Sequence, residues 1–107
     1  MVAALADDIV LHSPVTYHPF EGKDAVRMLF GVLLKVFEDF SYIDELHEEG
    51  RSVLIFEARV ADRKLQGIDL VRTDSDGLIN DFTVMVRPLS GVTALAEAAG
   101  SLLGISG

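Results

Sequence analysis

Cysteine and tryptophan are absent from this sequence of 107 residues. Without cysteine the chain can form neither disulfides nor thiolate ligands for a metal ion. Long apolar runs are also missing, and none approaches the ~18 residues that a membrane-spanning helix needs. The first eight residues hold two acids and no base, a pattern unlike that of a signal peptide. We therefore expect a cytoplasmic protein that does not enter a membrane.

Positive charge is scarce as well. Nine Lys and Arg residues stand against 17 Asp and Glu residues, which gives a net charge of −8. Proteins bind phosphate backbones largely through Lys and Arg, so we expect no nucleic-acid binding. The excess of acid favours solubility.

What the sequence does contain is enough apolar material for one core, since 50% of its residues are hydrophobic. No repeat or linker interrupts it, so residues 1–107 are predicted to form a single domain. Apolar residues at the three- and four-residue spacing of a buried helix face predict a long helix over residues 23–37. Before it, residues 2–6 resemble the end of a helix, residues 9–11 a short strand and residues 19–22 a turn.

After the long helix the apolar period changes to two, which predicts strands. Four are predicted in succession, over residues 40–48, 53–61, 65–72 and 78–87, with the turn between the first two at residues 50–52. Ser90 is predicted to cap a last helix over residues 92–103 that Gly104 ends. The fold class is therefore α+β: a curved, antiparallel four-stranded meander and a short strand wrap around a long helix and leave a cavity.

Four stretches, taken in order, resemble the SnoaL-like branch of the nuclear transport factor 2 superfamily. They are Leu-Ala-Asp-Asp at 5–8 running into Ser-Pro at 13–14, Pro-Phe-Glu-Gly-Lys-Asp-Ala-Val at 19–26, Gly-Ile-Asp-Leu at 67–70 with Asp-Gly-Leu-Ile at 76–79, and Val-Met-Val-Arg-Pro at 84–88. The resemblance implies a cystatin-like cone of three helices around a curved sheet, an internal pocket, and a homodimer joined through the outer sheet face. Relatives usually begin with a further helix that lines the cone. That helix has no counterpart in the matched stretches, so we expect either that the natural protein starts earlier than this sequence or that the pocket is more open than usual.

Asp69 is the first candidate for a catalytic residue. By alternation it shares a strand face with Leu65, Gly67 and Val71, and should point into the pocket. A carboxyl among apolar groups resists ionisation and can donate a hydrogen bond. In ketosteroid isomerase, a relative, a protonated Asp helps form the oxyanion hole, and Asp69 resembles that position. The alternative is that Asp69 bonds a neighbouring backbone group or tyrosine hydroxyl and only shapes the sheet.

By the same resemblance the general base of ketosteroid isomerase falls on Ser13, and serine cannot abstract a carbon-bound proton without a base of its own. His18 and Tyr17 are expected near the pocket mouth, where His18 is a candidate acid or base and Tyr17 a candidate hydrogen-bond donor. The alternative for both is a turn or solvent-facing position. The predicted pocket lining is Ser13, Phe30, Phe56, Ala58, Val71, Phe82, Val84 and Val86.

The three histidines show no ligand spacing, so we expect no metal and no cofactor. Asp81 is expected to face outward. The dimer prediction uses Ile55 and Met85, which lie among charged residues on the outer face. Three functions stay open. The first is an enzyme of isomerase, hydrolase or cyclase type that acts on a small apolar ligand, and the second is a binding or dimerisation module without chemistry. The third and weaker alternative is a protein–protein adaptor that acts through the sheet face.

Overall fold

The computed structural model describes residues 4–103, which form six strands and two helices. In chain order these are β1 (Leu5–His12), β2 (Phe20–Glu21), α1 (Lys23–Val36), β3 (Glu38–Glu48), β4 (Arg51–Val60), β5 (Arg63–Thr73), β6 (Ile79–Arg87) and α2 (Leu89–Leu103). Among these residues no helix is long and apolar enough to cross a membrane.

All six strands belong to one sheet, in the order β2-β1-β6-β5-β4-β3. Strands β3 to β6 form the predicted antiparallel meander, whereas β1 pairs parallel to β6. The α+β class, the meander and the long helix are thereby confirmed, and the complete sheet is mixed. Among the described residues, strand β3 lies at one edge of the sheet, and one side of its backbone pairs with no other strand.

The start of the chain differs from the prediction. Residues 2–6 resemble a helix end, yet Leu5 and Ala6 belong to β1, where Leu5 pairs with Ile79. The helical propensity of Leu and Ala is weak compared with the pairing and burial that β6 offers. Val2 and Ala3 lie outside the described residues. The predicted turn at 19–22 also contains β2, because Phe20 pairs with Leu11 of β1.

The last helix begins earlier than predicted. Helix α2 starts at Leu89, so Ser90 lies within its first turn and does not cap it. The backbone N–H groups of Gly91 and Val92 each donate to the Pro88 carbonyl at 3.0 Å, which takes the place of a side-chain cap. Gly104, the predicted stop, lies outside the described residues.

The core lies between the two helices and one face of the sheet, which we call the inner face. On β4 this face carries Leu54, Phe56, Ala58 and Val60, all buried. Helix α1 contributes Val26, Leu29 and Val36, and helix α2 contributes Leu95 and Ala99. The opposite, outer face of β4 carries Val53, Ile55, Glu57 and Arg59.

Candidate functional site

Asp69 is the buried charged residue of the inner face. It lies on β5 between buried Gly67 and Val71, as the alternation predicts, and its exposed fraction is 5%. Its Cα partners are Leu54 on β4 and Val84 on β6. A carboxyl at this place is surrounded mainly by hydrocarbon.

That environment changes the acidity of Asp69. Burial raises the pKa of its carboxyl from 3.8 to about 7, while the hydrogen bond from Tyr42 lowers it. The Tyr42 hydroxyl donates to Asp69 Oδ2 at 3.3 Å, a long distance for an O–H···O bond. Near neutral pH a large share of the Asp69 carboxyl therefore carries its proton and can donate a hydrogen bond.

Tyr42 lies on the edge strand β3 and is 48% exposed. The pKa of its hydroxyl is raised to about 12, first by burial and then by the charge of Asp69. It therefore stays protonated at physiological pH. The Tyr42–Asp69 bond joins a half-exposed hydroxyl to a buried acid, and so connects the interior with the open side of the inner face.

Aromatic rings surround this bond. The Phe40 ring stacks on the Phe56 ring at a centroid distance of 4.9 Å and meets the Tyr42 ring edge-on at 5.0 Å. Phe37 contacts Phe40 and Phe56, both at 5.7 Å. Phe40 is exposed, so one side of this aromatic cluster is open to solvent beside Tyr42.

Gly67 makes room for the cluster. A Cβ at this position would overlap the Phe56 ring. The absence of a side chain lets Phe56 lie flat across β5, two residues before Asp69.

A small apolar cavity of about 40 Å³ lies between α1, α2 and the loop after β1. Its wall includes Leu11, Ser13, Val15, Phe37, Val84 and Ala99. Val84 is the cross-strand partner of Asp69, and Phe37 packs against the aromatic cluster. Val84 and Phe37 therefore connect the cavity wall with the surroundings of Asp69.

The other predicted catalytic residues lie elsewhere. Tyr17 is 95% exposed and His18 is exposed, and their rings contact each other edge-on at 5.6 Å. Neither belongs to the cavity wall or to the hydrogen bond at Asp69. Thr16 Oγ1 donates to the His18 carbonyl at 3.1 Å, so this segment is a surface turn.

Of the eight predicted lining residues, Ser13 and Val84 belong to the cavity wall. The other six belong to the packed core: Phe30, Phe56, Ala58, Val71, Phe82 and Val86. Ser13 Oγ accepts a bond from the Val15 N–H at 3.2 Å, which shapes the loop. The helices fill the inner face more completely than the sequence suggests.

Sequence reasoning missed Tyr42, although Phe40 and Tyr42 alternate on β3 as aromatic residues of one strand face would. Pairing Tyr42 with Asp69 requires the register of β3, and β-bulges shift that register between residues 38 and 41 and between 42 and 44.

On the outer face, the Asp81 carboxylate is hydrogen-bonded to His12 Nε2 at 3.2 Å. Within residues 4–103, no group of three or more His, Cys, Asp or Glu side chains could hold a metal ion.

Comparison with family models gives no match, and no curated protein matches the chain. Several solved structures do match it. A steroid delta-isomerase from Pseudomonas aeruginosa has a TM-score of 0.90 and 46% identity, over 94% of this chain and 74% of its own. An uncharacterised protein with a cystatin-like fold from Silicibacter pomeroyi has a TM-score of 0.91 and 32% identity, over 94% and 71%.

The fold is also shared more widely. A nuclear transport factor 2-like protein of unknown function from Mesorhizobium loti has a TM-score of 0.70 at 18% identity, over 78% of this chain and 72% of its own. The two closer matches show more than a shared fold, because they are at least 30% identical along most of both chains. The chain belongs to the nuclear transport factor 2-like superfamily, with the SnoaL-like and steroid delta-isomerase proteins.

Proposed function

We propose that this domain binds a small, mostly apolar molecule at the inner face, and that Asp69 donates a hydrogen bond to an oxygen atom of that molecule. The observation that carries the proposal is the burial of Asp69 with Tyr42 as its hydrogen-bond partner. An acid in such surroundings costs stability when it ionises, which favours a role for its neutral form.

The aromatic cluster supports the apolar character of the ligand. Phe40 and Tyr42 present exposed ring surface next to the acid, and stacking on such rings favours flat hydrocarbon molecules. A steroid, the molecule named for the 46% identical relative, is of this class. The small cavity beyond Val84 and Phe37 offers further apolar surface if these side chains move.

Isomerisation would need a second group that takes a proton from carbon. Ser13 stands where the resemblance puts that base. Its Oγ accepts a hydrogen bond from the Val15 N–H, and within residues 4–103 no His, Asp or Glu side chain bonds to it. Asp69 supplies an acid without a matching base. We therefore propose binding as the function, with Asp69 as a polarising donor.

The binding test uses a neutral steroid, progesterone, in equilibrium dialysis near pH 6. Asp69→Ala and Phe40→Ala should each weaken binding about tenfold, since each removes a contact worth on the order of 1 kcal/mol. Leu34→Ala is the matched control, because Leu34 is an exposed apolar residue of α1 away from the site. Equal affinity of wild type and Asp69→Ala would overturn the proposal.

A second function, dimerisation, is favoured by the outer face. Ile55, Ile68 and Met85 are partners across β4, β5 and β6 and form an apolar row. Ile68 and Met85 are exposed. Five of the nine basic residues alternate onto the same face: Arg51, Arg59, Lys64, Arg72 and Arg87. Two acidic copies would repel each other least through this face.

Sedimentation at micromolar concentration tests the dimer. Wild type should sediment at twice the 11.6 kDa chain mass, and Met85→Glu at the chain mass, because the substitution places two charges in the shared apolar row. Leu34→Glu, the control on α1, should leave the dimer intact. A monomeric wild type would contradict the dimer.

A further inference from the structure

Three polar side chains on β3 and β4 form a hydrogen-bonded chain that does not include Asp69. His47 and Ser52 are Cα partners across these strands. Ser52 Oγ lies 2.8 Å from His47 Nδ1, and Glu45 Oε1 lies 3.2 Å from His47 Nε2. The hydrogen bonds thus join the Glu45 carboxylate to the His47 imidazole and the imidazole to the Ser52 hydroxyl.

The carboxylate decides which imidazole nitrogen carries the proton. Ionised Glu45 has acceptor atoms only, so Nε2 must be protonated to bond with it. In a neutral imidazole Nδ1 is then unprotonated, and it accepts a hydrogen bond from the Ser52 hydroxyl. A serine bonded to a base that a third group orients is the arrangement that activates the hydroxyl as a nucleophile.

His47 and Ser52 lie on the inner face of the sheet, because Ser52 alternates with buried Leu54 and Phe56 along β4. The His47 side chain is 54% exposed, so a small molecule can reach the Ser52 hydroxyl beside it. Arg51 and Arg72 are Cα partners on the outer face and take no part in this arrangement.

We propose that Ser52 is a nucleophile toward small esters, with His47 as its general base and Glu45 as the residue that positions His47. Ser52 Oγ attacks the ester carbonyl carbon while its proton passes to His47 Nδ1. The ester C–O bond breaks, and the leaving alcohol takes that proton. Water then attacks the acyl-serine by the same proton route, which releases the acid and restores Ser52.

The first test needs no variant. Wild-type protein is incubated with diisopropyl fluorophosphate. An activated serine oxygen displaces fluoride from the phosphorus of this reagent, and the modified peptide is identified by mass spectrometry. The adduct should lie on Ser52. Absence of an adduct, or an adduct on Tyr17 or on Ser41 of β3 instead, would overturn the proposal.

The second test follows 4-nitrophenyl acetate. Wild type should release a burst of nitrophenolate and carry an acetyl group on Ser52. Ser52→Ala should lose both, and His47→Gln should acylate about 100-fold more slowly, which is within the usual range for loss of a general base. Ser41→Ala removes another exposed serine of β3 and should behave as wild type. Equal bursts from Ser52→Ala and wild type would refute the proposal.

The third test separates positioning of His47 from folding. Glu45→Gln can donate to Nε2 and so favours the opposite tautomer; it should slow acylation about tenfold, whereas Glu45→Asp keeps the carboxylate and should recover part of the rate. Arg72→Gln changes a nearby side chain of the outer face and should acylate at the wild-type rate. A loss of acylation in Arg72→Gln as large as that in Ser52→Ala would contradict a site on the inner face. These readouts follow acyl transfer and not ligand binding at Asp69, so they can fail while the binding function stands.

Discussion

Replacing Asp69 with Asn tests the neutral buried acid through folding stability. Asn has nearly the shape of Asp and can still accept the Tyr42 hydrogen bond, but it cannot ionise. In wild type, Asp69 ionises near pH 3.8 when unfolded and near pH 7 when folded. Between these values the unfolded chain has released a proton that the folded chain retains.

The sign and size of the effect follow from this difference. Because the folded pKa is the higher one, the contribution of Asp69 to stability is fully present below about pH 4 and is lost as pH rises to about 7. A difference of roughly three pKa units corresponds to a loss on the order of 4 kcal/mol. Asp69→Asn avoids this loss, so it should gain stability relative to wild type by about that amount between pH 4 and 8.

Urea unfolding followed by circular dichroism suits the test, since the chain has no tryptophan. Free energies of unfolding are compared at several pH values and at one protein concentration. The other acids titrate equally in both proteins and cancel in the difference. A difference between wild type and Asp69→Asn that stays constant across this pH range would refute the reasoning.

Three further changes probe the rest of the inner and outer faces. Tyr42→Phe removes the bond that lowers the pKa of Asp69, so carbon-13 NMR of the Asp69 carboxyl should show its titration midpoint move upward. Gly67→Ala should destabilise the fold by roughly 2–3 kcal/mol in urea unfolding, because the added Cβ overlaps the Phe56 ring. Met85→Glu should abolish the dimer in sedimentation with little effect on the stability of the single chain, because the side chain is exposed.

The sequence predicts much of the fold because its periodic segments are long. Helix α1 differs from the prediction by one residue, and all four strands of the meander lie where alternation puts them. The short strand predicted over residues 9–11 lies within β1, but the start of β1 could not be predicted, because Leu5 and Ala6 favour a helix weakly and Ile79, the partner of Leu5, is distant in sequence. Its pairing is decided by tertiary contacts.

The candidate site was predictable only where alternation sufficed. Alternation places Asp69 on the buried face, since neighbouring strand residues must point oppositely. Tyr42 depends on β-bulges in β3, which leave no clear local signal in the sequence. Ser52 is predicted to lie in a turn, whereas β4 begins at Arg51. Because the start of β4 is predicted two residues too late, the cross-strand pair of His47 and Ser52 could not be predicted.

The most direct measurement of the central claim is the titration of the Asp69 carboxyl carbon by NMR, with and without progesterone. The free protein should show a midpoint near pH 7. Tyr42 is the hydrogen-bond partner of Asp69, and Glu45 is a charged neighbour of Tyr42. A ligand oxygen that accepts the Asp69 proton stabilises the neutral acid and should raise the midpoint further. A midpoint near 4 in the free protein, or one that the ligand leaves unchanged at saturation, would contradict the account.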